Sequence, residues 1–176
     1  MSRQLYKETQ TFRQPWMWFI ILVATTATLI FFTIGINQQI IQGIPYGDNP
    51  MPDSGLIGTG LFSILIMVGI IVLVYKAKMV IEISERAIQF RFPPFINKFK
   101  VIDKKEIERF EIRKYRPIRE YGGWGIRLGF RKSGIAYNVH GNLGLQLYLF
   151  NGKKILLGTQ RKEAIRDAME KMMKEG

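Results

Sequence analysis

Two long runs of apolar residues dominate the first half of the chain. Residues Trp16 to Ile36 and Leu56 to Tyr75 are mostly Ile, Leu, Phe, Val, Thr and Gly, and neither run contains a charged residue. A helix rises about 1.5 Å per residue, so about 20 residues cross the roughly 30 Å hydrocarbon core of a bilayer. The pattern therefore predicts a transmembrane hairpin with spans at residues 16–36 and 56–75, joined by a loop at 37–55.

The first run has a competing interpretation as a secretory signal peptide, because cations precede it. It is longer than the usual apolar core of a signal, and no cleavage site of small residues follows Ile36. A second apolar run also comes soon afterwards. These features favour a retained membrane anchor over a cleaved signal.

The positions of the cations predict the orientation of this hairpin. They flank it on its outer sides, with Arg3, Lys7 and Arg13 before the first run and Lys76 and Lys78 after the second. The loop at 37–55 contains no Lys or Arg, and cationic flanks are retained in the cytoplasm. We expect a multi-pass protein of the cytoplasmic (inner) membrane with both termini in the cytoplasm. Residues 1–15 would then form a cytoplasmic N-terminal segment, and 37–55 an extracytoplasmic loop.

After residue 75 the hydrophobic period changes to two, which is typical of strands. Met79, Ile81 and Ile83 alternate with other residues, and a similar alternation at 88–92 predicts a β-hairpin that ends at Pro93-Pro94. Further strands are predicted at 98–102, 107–115, 125–131, 135–139, 143–150 and 154–157, with a hairpin turn at Asn151-Gly152.

The end of the chain returns to a helical period. Its apolar residues recur at three- and four-residue intervals: Ala164, Ile165, Ala168, Met169 and Met172. This spacing predicts an amphipathic helix, whose methionine-bearing face is expected to pack on its own sheet. We therefore expect an α+β domain at 76–176, an antiparallel β-barrel or sandwich of about seven strands capped by a C-terminal helix.

Composition and charge restrict the chemistry of this domain. The chain has no Cys and one His, so a cysteine nucleophile, thiolate metal site or Ser-His-Asp triad is not expected. Its 26 Lys and Arg against 14 Asp and Glu give a net charge of +12. We expect a protein that is not an enzyme and holds no metal and no cofactor.

Several short strings in the second half resemble a known family. They are Trp124-Gly125-Ile126-Arg127, Ala136-Tyr137-Asn138-Val139, Gly152-Lys153-Lys154 and Leu157-Gly158-Thr159-Gln160-Arg161. The chain is similar to small prokaryotic two-span membrane proteins with a cytoplasmic pleckstrin-homology-like domain. The resemblance implies that fold for residues 76–176 and says little about activity.

The resemblance does not extend to a phosphoinositide site. In eukaryotic pleckstrin-homology domains a basic residue in the first strand and a Lys/Arg-x-Arg element in the second hold the phosphates. Lys78 and Arg91 are available for these roles, but Gln89 stands two residues before Arg91. Those site residues are therefore not assigned to this chain.

Two groups of cations are candidates for contact with anionic lipids. The first is Lys98, Lys100, Lys104 and Lys105, and the second is Arg113, Lys114, Arg116 and Arg119. Lipid of the inner leaflet attracts a nearby Lys or Arg by about 1 kcal/mol. We expect one group to lie on the membrane-facing rim, whereas the plainer interpretation is a solvated strand face. Nucleic acid is a less favoured partner, because no recognised reader motif is present.

Trp124 and Arg127 suggest a ligand pocket, in which the indole would stack and the guanidinium would bind an anion. A Gly-Gly-Trp-Gly segment is more often the start of a strand whose aromatic residue fills the core. We favour that structural interpretation, and His140 is expected to be a turn residue.

The sequence thus favours a non-catalytic integral membrane protein that presents an interaction module at the cytoplasmic surface. Its expected partners are membrane lipids together with a protein partner or a second copy of itself, and we predict no nucleic acid and no small-molecule substrate. The alternative is an accessory subunit of a membrane enzyme or transporter complex, whose chemistry would belong to another chain.

Overall fold

The computed structural model describes residues 3–130 and 132–174. They divide into two units: a helical segment at 13–75, and a domain made of residues 3–12 and of the described residues from 76 onward. Each unit is described by itself below.

The helical segment contains two long apolar helices. Helix α1 (Pro15–Ile36) continues as a π-helical turn (Asn37–Ile41), and α2 (Asp53–Lys76) follows the loop. Both are long and apolar enough to cross a membrane, and few of their residues are buried. The prediction of two such helices is confirmed, with helical structure extending five residues beyond the expected end at Ile36.

Glycines allow the two helices to approach each other closely. A Cβ atom at Gly60 of α2 would lie 3.0 Å from the ring of Phe32 on α1. A Cβ atom at Gly35 would lie 3.0 Å from the ring of Tyr46 and 3.4 Å from Leu56. Close packing of this kind at small residues is common between helices in membranes.

The first sheet of the domain has four antiparallel strands in the order β1-β2-β3-β4. They are β1 (Gln4–Thr11), β2 (Lys78–Ser84), β3 (Ala87–Phe92) and β4 (Ile96–Asp103). The predicted hairpin is confirmed as β2 and β3, with Ile81 opposite Phe90. β1 was not predicted. It pairs with β2, although the helical segment separates the two strands in sequence.

The position of β1 corrects the expected domain boundary, which placed residues 1–15 outside the domain. The face of β1 that points inward carries the buried residues Tyr6, Glu8 and Gln10, while Lys7 and Thr9 are exposed. Two of the three buried residues are polar, so the strand lacks the alternation of apolar residues by which strands are recognised.

The second sheet has five strands in the order β5-β8-β9-β7-β6. They are β5 (Ile107–Lys114), β6 (Gly125–Leu128), β7 (Ile135–Asn138), β8 (Leu143–Leu149) and β9 (Lys154–Gly158). A short helix α3 (Pro117–Tyr121) follows β5, and α4 (Lys162–Lys174) ends the described chain. The turn at Asn151-Gly152 joins β8 to β9 as predicted, with φ +77° at Gly152.

The fold-class prediction is confirmed only in part. Two apolar helices, two sheets and the C-terminal helix are present, but the described residues form nine strands rather than about seven, and these strands close no barrel. β7 pairs with β9 in parallel, along the edge of β9 that β8 does not occupy. The predicted strand 125–131 ends at Leu128, and Arg131 lies outside the described residues. A pleckstrin-homology-like fold stays a prediction.

The main core lies between the inner faces of the sheets and α4. Alternate residues of β8 point into it, namely Leu145, Leu147 and Leu149. From α4 come Ile165, Ala168, Met169 and Met172, so the methionine face packs on its own sheets as expected.

Removal of a methionine from this face tests the packing. Met172 is fully buried, and we expect Met172→Ala to lower the free energy of unfolding by about 2–5 kcal/mol because it leaves a cavity. Thermal or denaturant unfolding of the full chain in detergent measures this loss. The control is Glu170→Ala on the exposed face of α4, with an expected change within about 0.5 kcal/mol. If both substitutions lowered the free energy of unfolding equally, the face of α4 that carries Met172 would not be the face packed in the core.

Candidate functional site

The first predicted group of cations does not form one surface. Lys98 and Lys100 lie on β4, whereas Lys104 and Lys105 lie on the 3-10 turn (Lys104–Glu106) that follows it. A strand rises about 3.3 Å per residue, so the six steps from Lys98 to Lys104 cover about 20 Å. The four lysines are close in sequence, but they are spread along β4 and the turn that follows it.

Lys100 lies on a groove between the two sheets. Its Nζ donates a hydrogen bond to the Tyr137 hydroxyl at 3.0 Å and lies 5.4 Å from the ring centroid. The groove has a volume of about 680 Å³, and its apolar wall includes Phe90, Ile102 and Leu149. Further cations also line it, among them Lys132 and Lys153.

This groove combines an apolar wall with ammonium groups and one hydroxyl. Its volume lies within the range of ligand sites, roughly 300–1,000 Å³, and its charge suits an anion attached to an apolar body. Glu106 is also among its lining residues. Lys154 lines it as well, but its ammonium lies 5.8 Å from the ring of Tyr148. Tyr148 belongs to the face of β8 that points away from the main core.

The second predicted group of cations is divided between internal and surface roles. Arg113 forms an ion pair with Glu120 at 2.8 Å and hydrogen bonds with Gln146. Burial opposes its charge, but the hydrogen bond and charge of Glu120 raise the pKa of Arg113. Arg113 therefore holds α3 against the outer face of the second sheet. Lys114, Arg116 and Arg119 are exposed around α3.

Next to Arg113 is a small second core of tyrosines. Tyr115 and Tyr121 meet edge to face with ring centroids 5.9 Å apart. The Asn138 side chain donates from Nδ2 to the Tyr115 hydroxyl at 2.9 Å and accepts from the Gly125 amide at 2.8 Å. Burial raises the pKa of Tyr115 to about 12. These contacts fix β6, β7 and α3 to one another.

Trp124 is half-buried and belongs to neither core, and Arg127 is exposed, so both interpretations of this pair stay predictions. The indole Nε1 of Trp124 donates to the carbonyl of Gly141 at 2.9 Å, and Arg127 Nε donates to the carbonyl of Trp124 at 3.0 Å. Neither residue lines the groove. His140 is exposed in the connection between β7 and β8, as expected, with Nδ1 3.4 Å from the side-chain oxygen of Gln160.

A buried carboxylate joins β1 to the rest of the domain. Glu8 accepts hydrogen bonds from the Tyr6 hydroxyl, from Thr159 Oγ1 at 2.8 Å and from the Gln160 amide at 2.9 Å. Gln10 donates to the carbonyl of Gly158 at 2.7 Å. Burial, followed by the hydrogen bond to Glu8, raises the pKa of Tyr6. The sequence analysis did not predict this network. Its one trace in the sequence is that Tyr6, Glu8 and Gln10 occupy every second position, as residues on one face of a strand do.

One end of the first sheet carries both connections to the helical segment. We call it the exit end, defined by Thr11, Lys78 and the turn Pro93–Phe95. Thr11 is opposite Lys78, and the Lys78 amide donates to the carbonyl of Pro93 at 3.0 Å. The rings of Phe12, Phe92 and Phe95 follow one another here at centroid distances of 6.2 Å.

The opposite end of the sheet, which we call the far end, differs in charge. It comprises the turn Glu85-Arg86, residues Asp103 to Glu106 and Phe150, which together line a second cavity. Carboxylates and cations are mixed there. At the exit end, residues 9–13, 76–81 and 90–99 include no Asp or Glu.

Metal ligands and known relatives give no further identification. Within residues 3–130 and 132–174, no three side chains of His, Cys, Asp or Glu come together to hold a metal ion. No protein-family model, curated protein or solved structure matches the chain. The resemblance to two-span membrane proteins therefore stays a prediction from the sequence.

The Glu8 network makes a testable contribution to stability. In Glu8→Gln an amide NH₂ replaces one acceptor oxygen opposite buried donors, so we expect a loss of about 1–3 kcal/mol in the free energy of unfolding. The matched control is Glu82→Gln, because Glu82 pairs with the exposed Lys7 at 2.8 Å and such pairs contribute at most about 1 kcal/mol. If the two variants melt alike, Glu8 does not join β1 to the domain.

The buried tyrosines predict a loss of stability at high pH. Tyr115 has an ordinary pKa of 10.0 and a pKa of about 12 in the folded domain. Its contribution is therefore fully present below pH 10 and is lost as the pH rises from 10 towards 12. We expect Tyr115→Phe to flatten this part of the stability profile, measured as unfolding midpoint against pH. A wild-type profile as flat as that of the variant would contradict the assignment.

Proposed function

We propose that this chain is a non-catalytic integral membrane protein. In this proposal α1 and α2 cross the membrane as a hairpin, and the domain lies at its cytoplasmic surface. There the cations of the exit end bind anionic lipid head groups.

The pairing of β1 with β2 is the observation that carries this proposal. β1 precedes the helical segment and β2 follows it, yet the two strands are neighbours over seven paired positions. Strands of one sheet lie about 4.8 Å apart, so two helices that cross a bilayer must start and finish on the same side of it. The same pairing argues against a cleaved signal, since cleavage would detach β1 from the sheet.

The connections between strands and helices support contact with lipid head groups. Three residues separate Thr11 from Pro15, and Ala77 alone separates α2 from β2. Extended chain covers at most about 3.6 Å per residue, so Pro15 lies within about 14 Å of Thr11 and Lys78 within about 7 Å of Lys76. The second distance is shorter than the Debye length in physiological salt, roughly 8 Å. Charges at the exit end would therefore be attracted by the membrane surface.

The distribution of charge supports a cytoplasmic domain. Arg3, Lys7 and Arg13 precede α1, and Lys76 and Lys78 follow the apolar part of α2. The loop between the apolar helices has Asp48 and no Lys or Arg. Cationic flanks retained in the cytoplasm give the same orientation.

Single cysteines test this topology directly, because the chain has none of its own. We expect a membrane-impermeant maleimide to label Asp48→Cys in intact spheroplasts, and Lys153→Cys only after lysis. Both proteins should stay in the membrane fraction after an alkaline carbonate wash. Labelling of Lys153→Cys in intact cells, or release by the wash, would contradict the proposal.

Selectivity for anionic lipid tests the head-group contact. In nanodiscs we expect spin-labelled phosphatidylglycerol to be immobilised around the full chain more than spin-labelled phosphatidylcholine, with the difference falling at high salt. Lys78→Gln with Lys98→Gln should reduce the selectivity, at about 1 kcal/mol for each cation. The matched control is Lys162→Gln with Lys171→Gln on the exposed face of α4. Unchanged selectivity in the first pair would overturn the assignment of these lysines.

A further inference from the structure

We propose that the turn Pro93–Phe95 enters the interfacial region of the bilayer and places the side chain of Phe95 there. The exit end would then rest on the membrane through an inserted aromatic residue as well as through charge. This inference rests on the proposed function, since it requires α1 and α2 to cross the membrane.

The position of the turn in the sheet is the first argument. Phe92 and Ile96 pair at the base of the turn, and the Lys78 amide donates to the carbonyl of Pro93. Lys78 is the first residue of β2 and lies opposite Thr11, the last residue of β1. The turn therefore lies beside both points at which the chain connects to the membrane helices.

The exposure of Phe95 is the second argument. Its side chain is 56% exposed, whereas Phe92 behind it is 1% exposed. The ring of Phe92 lies 6.2 Å from that of Phe95 and 6.2 Å from that of Phe12, which precedes α1 by three residues. Aromatic and large apolar side chains on a peripheral surface enter the boundary between head groups and acyl chains by about 5–10 Å.

Charge distinguishes Phe95 from Phe150, another exposed aromatic residue at the tip of a turn. Phe150 is 72% exposed but lies at the far end, where three acids are mixed with three cations: Glu85, Asp103 and Glu106 with Arg86, Lys104 and Lys105. Around Phe95 the exposed charged residues include Lys78 and Lys98, and residues 90–99 contain no carboxylate. An anionic membrane surface attracts the cations around Phe95, whereas at the far end its repulsion of the acids offsets its attraction of the cations.

Site-directed spin labels in the full chain test this insertion. Phe95→Cys and Phe150→Cys form a matched pair, and Leu65→Cys, on the exposed surface of α2, reports whether the helices cross the bilayer. The chain is placed in nanodiscs of phosphatidylcholine with phosphatidylglycerol. Collisions of each label with oxygen, which enters lipid, and with a water-soluble nickel chelate are then measured.

We expect the ratio of oxygen to chelate collisions to be roughly fivefold higher at position 95 than at position 150, as for a side chain several ångströms below the surface. A label at 95 as open to the chelate as that at 150, with position 65 protected, would overturn this inference and leave the proposed function intact. A label at 65 open to the chelate would overturn both.

Two further variants carry the spin label at Lys98→Cys and differ in a second substitution, which is either Phe95→Asp or Phe150→Asp. Adding Phe95→Asp should expose this label to the chelate, because a carboxylate in the turn is repelled by the anionic surface. Adding Phe150→Asp should leave it unchanged. Thermal unfolding of both proteins is the control for folding. We expect both to remain folded, because Phe95 and Phe150 are exposed. No difference between the two would also contradict the insertion of Phe95.

Discussion

The structure depends on backbone pairing between two strands that the helical segment separates in sequence. β1 and β2 are adjacent in the sheet, and the polar inward face of β1 is held by Glu8, Thr159 and Gln160. A long connection costs only slightly more closure entropy than a shorter one, so the ladder and the buried carboxylate are sufficient to hold β1. Both ends of the helical segment are thereby connected to one end of one sheet.

Much of the fold could be predicted from the sequence because its signals are local. The apolar helices and eight of the strands follow from hydrophobic period, and α4 follows from its apolar stripe. β1 could not be recognised because Glu8 and Gln10 occupy its inward face. The parallel pair of β7 and β9 and the open arrangement of the sheets depend on which strands become neighbours, and no local pattern specifies that.

The candidate site was harder to predict than the fold. The predicted groups consist of cations close in sequence, but Lys98 lies on β4 and Lys104 on the turn beyond its end, and Arg113 pairs with Glu120 on the outer face of the second sheet. The groove takes Lys100, Lys132 and Lys153 from three separate segments, so proximity along the chain gives no signal for it. The exit end becomes recognisable only when Thr11 is placed beside Lys78.

A disulfide between β1 and β2 tests the central claim most directly. Lys7 pairs with Glu82 in register, and their side chains meet at 2.8 Å. In a chain without native cysteine, Lys7→Cys with Glu82→Cys is therefore expected to form an intramolecular disulfide when isolated membranes are treated with copper phenanthroline as oxidant, seen as faster migration without reductant. Lys7→Cys with Gln89→Cys is the control, because Gln89 pairs with Glu82 on the other side of β2. Equal crosslinking of the two pairs, or none in the first, would contradict the account.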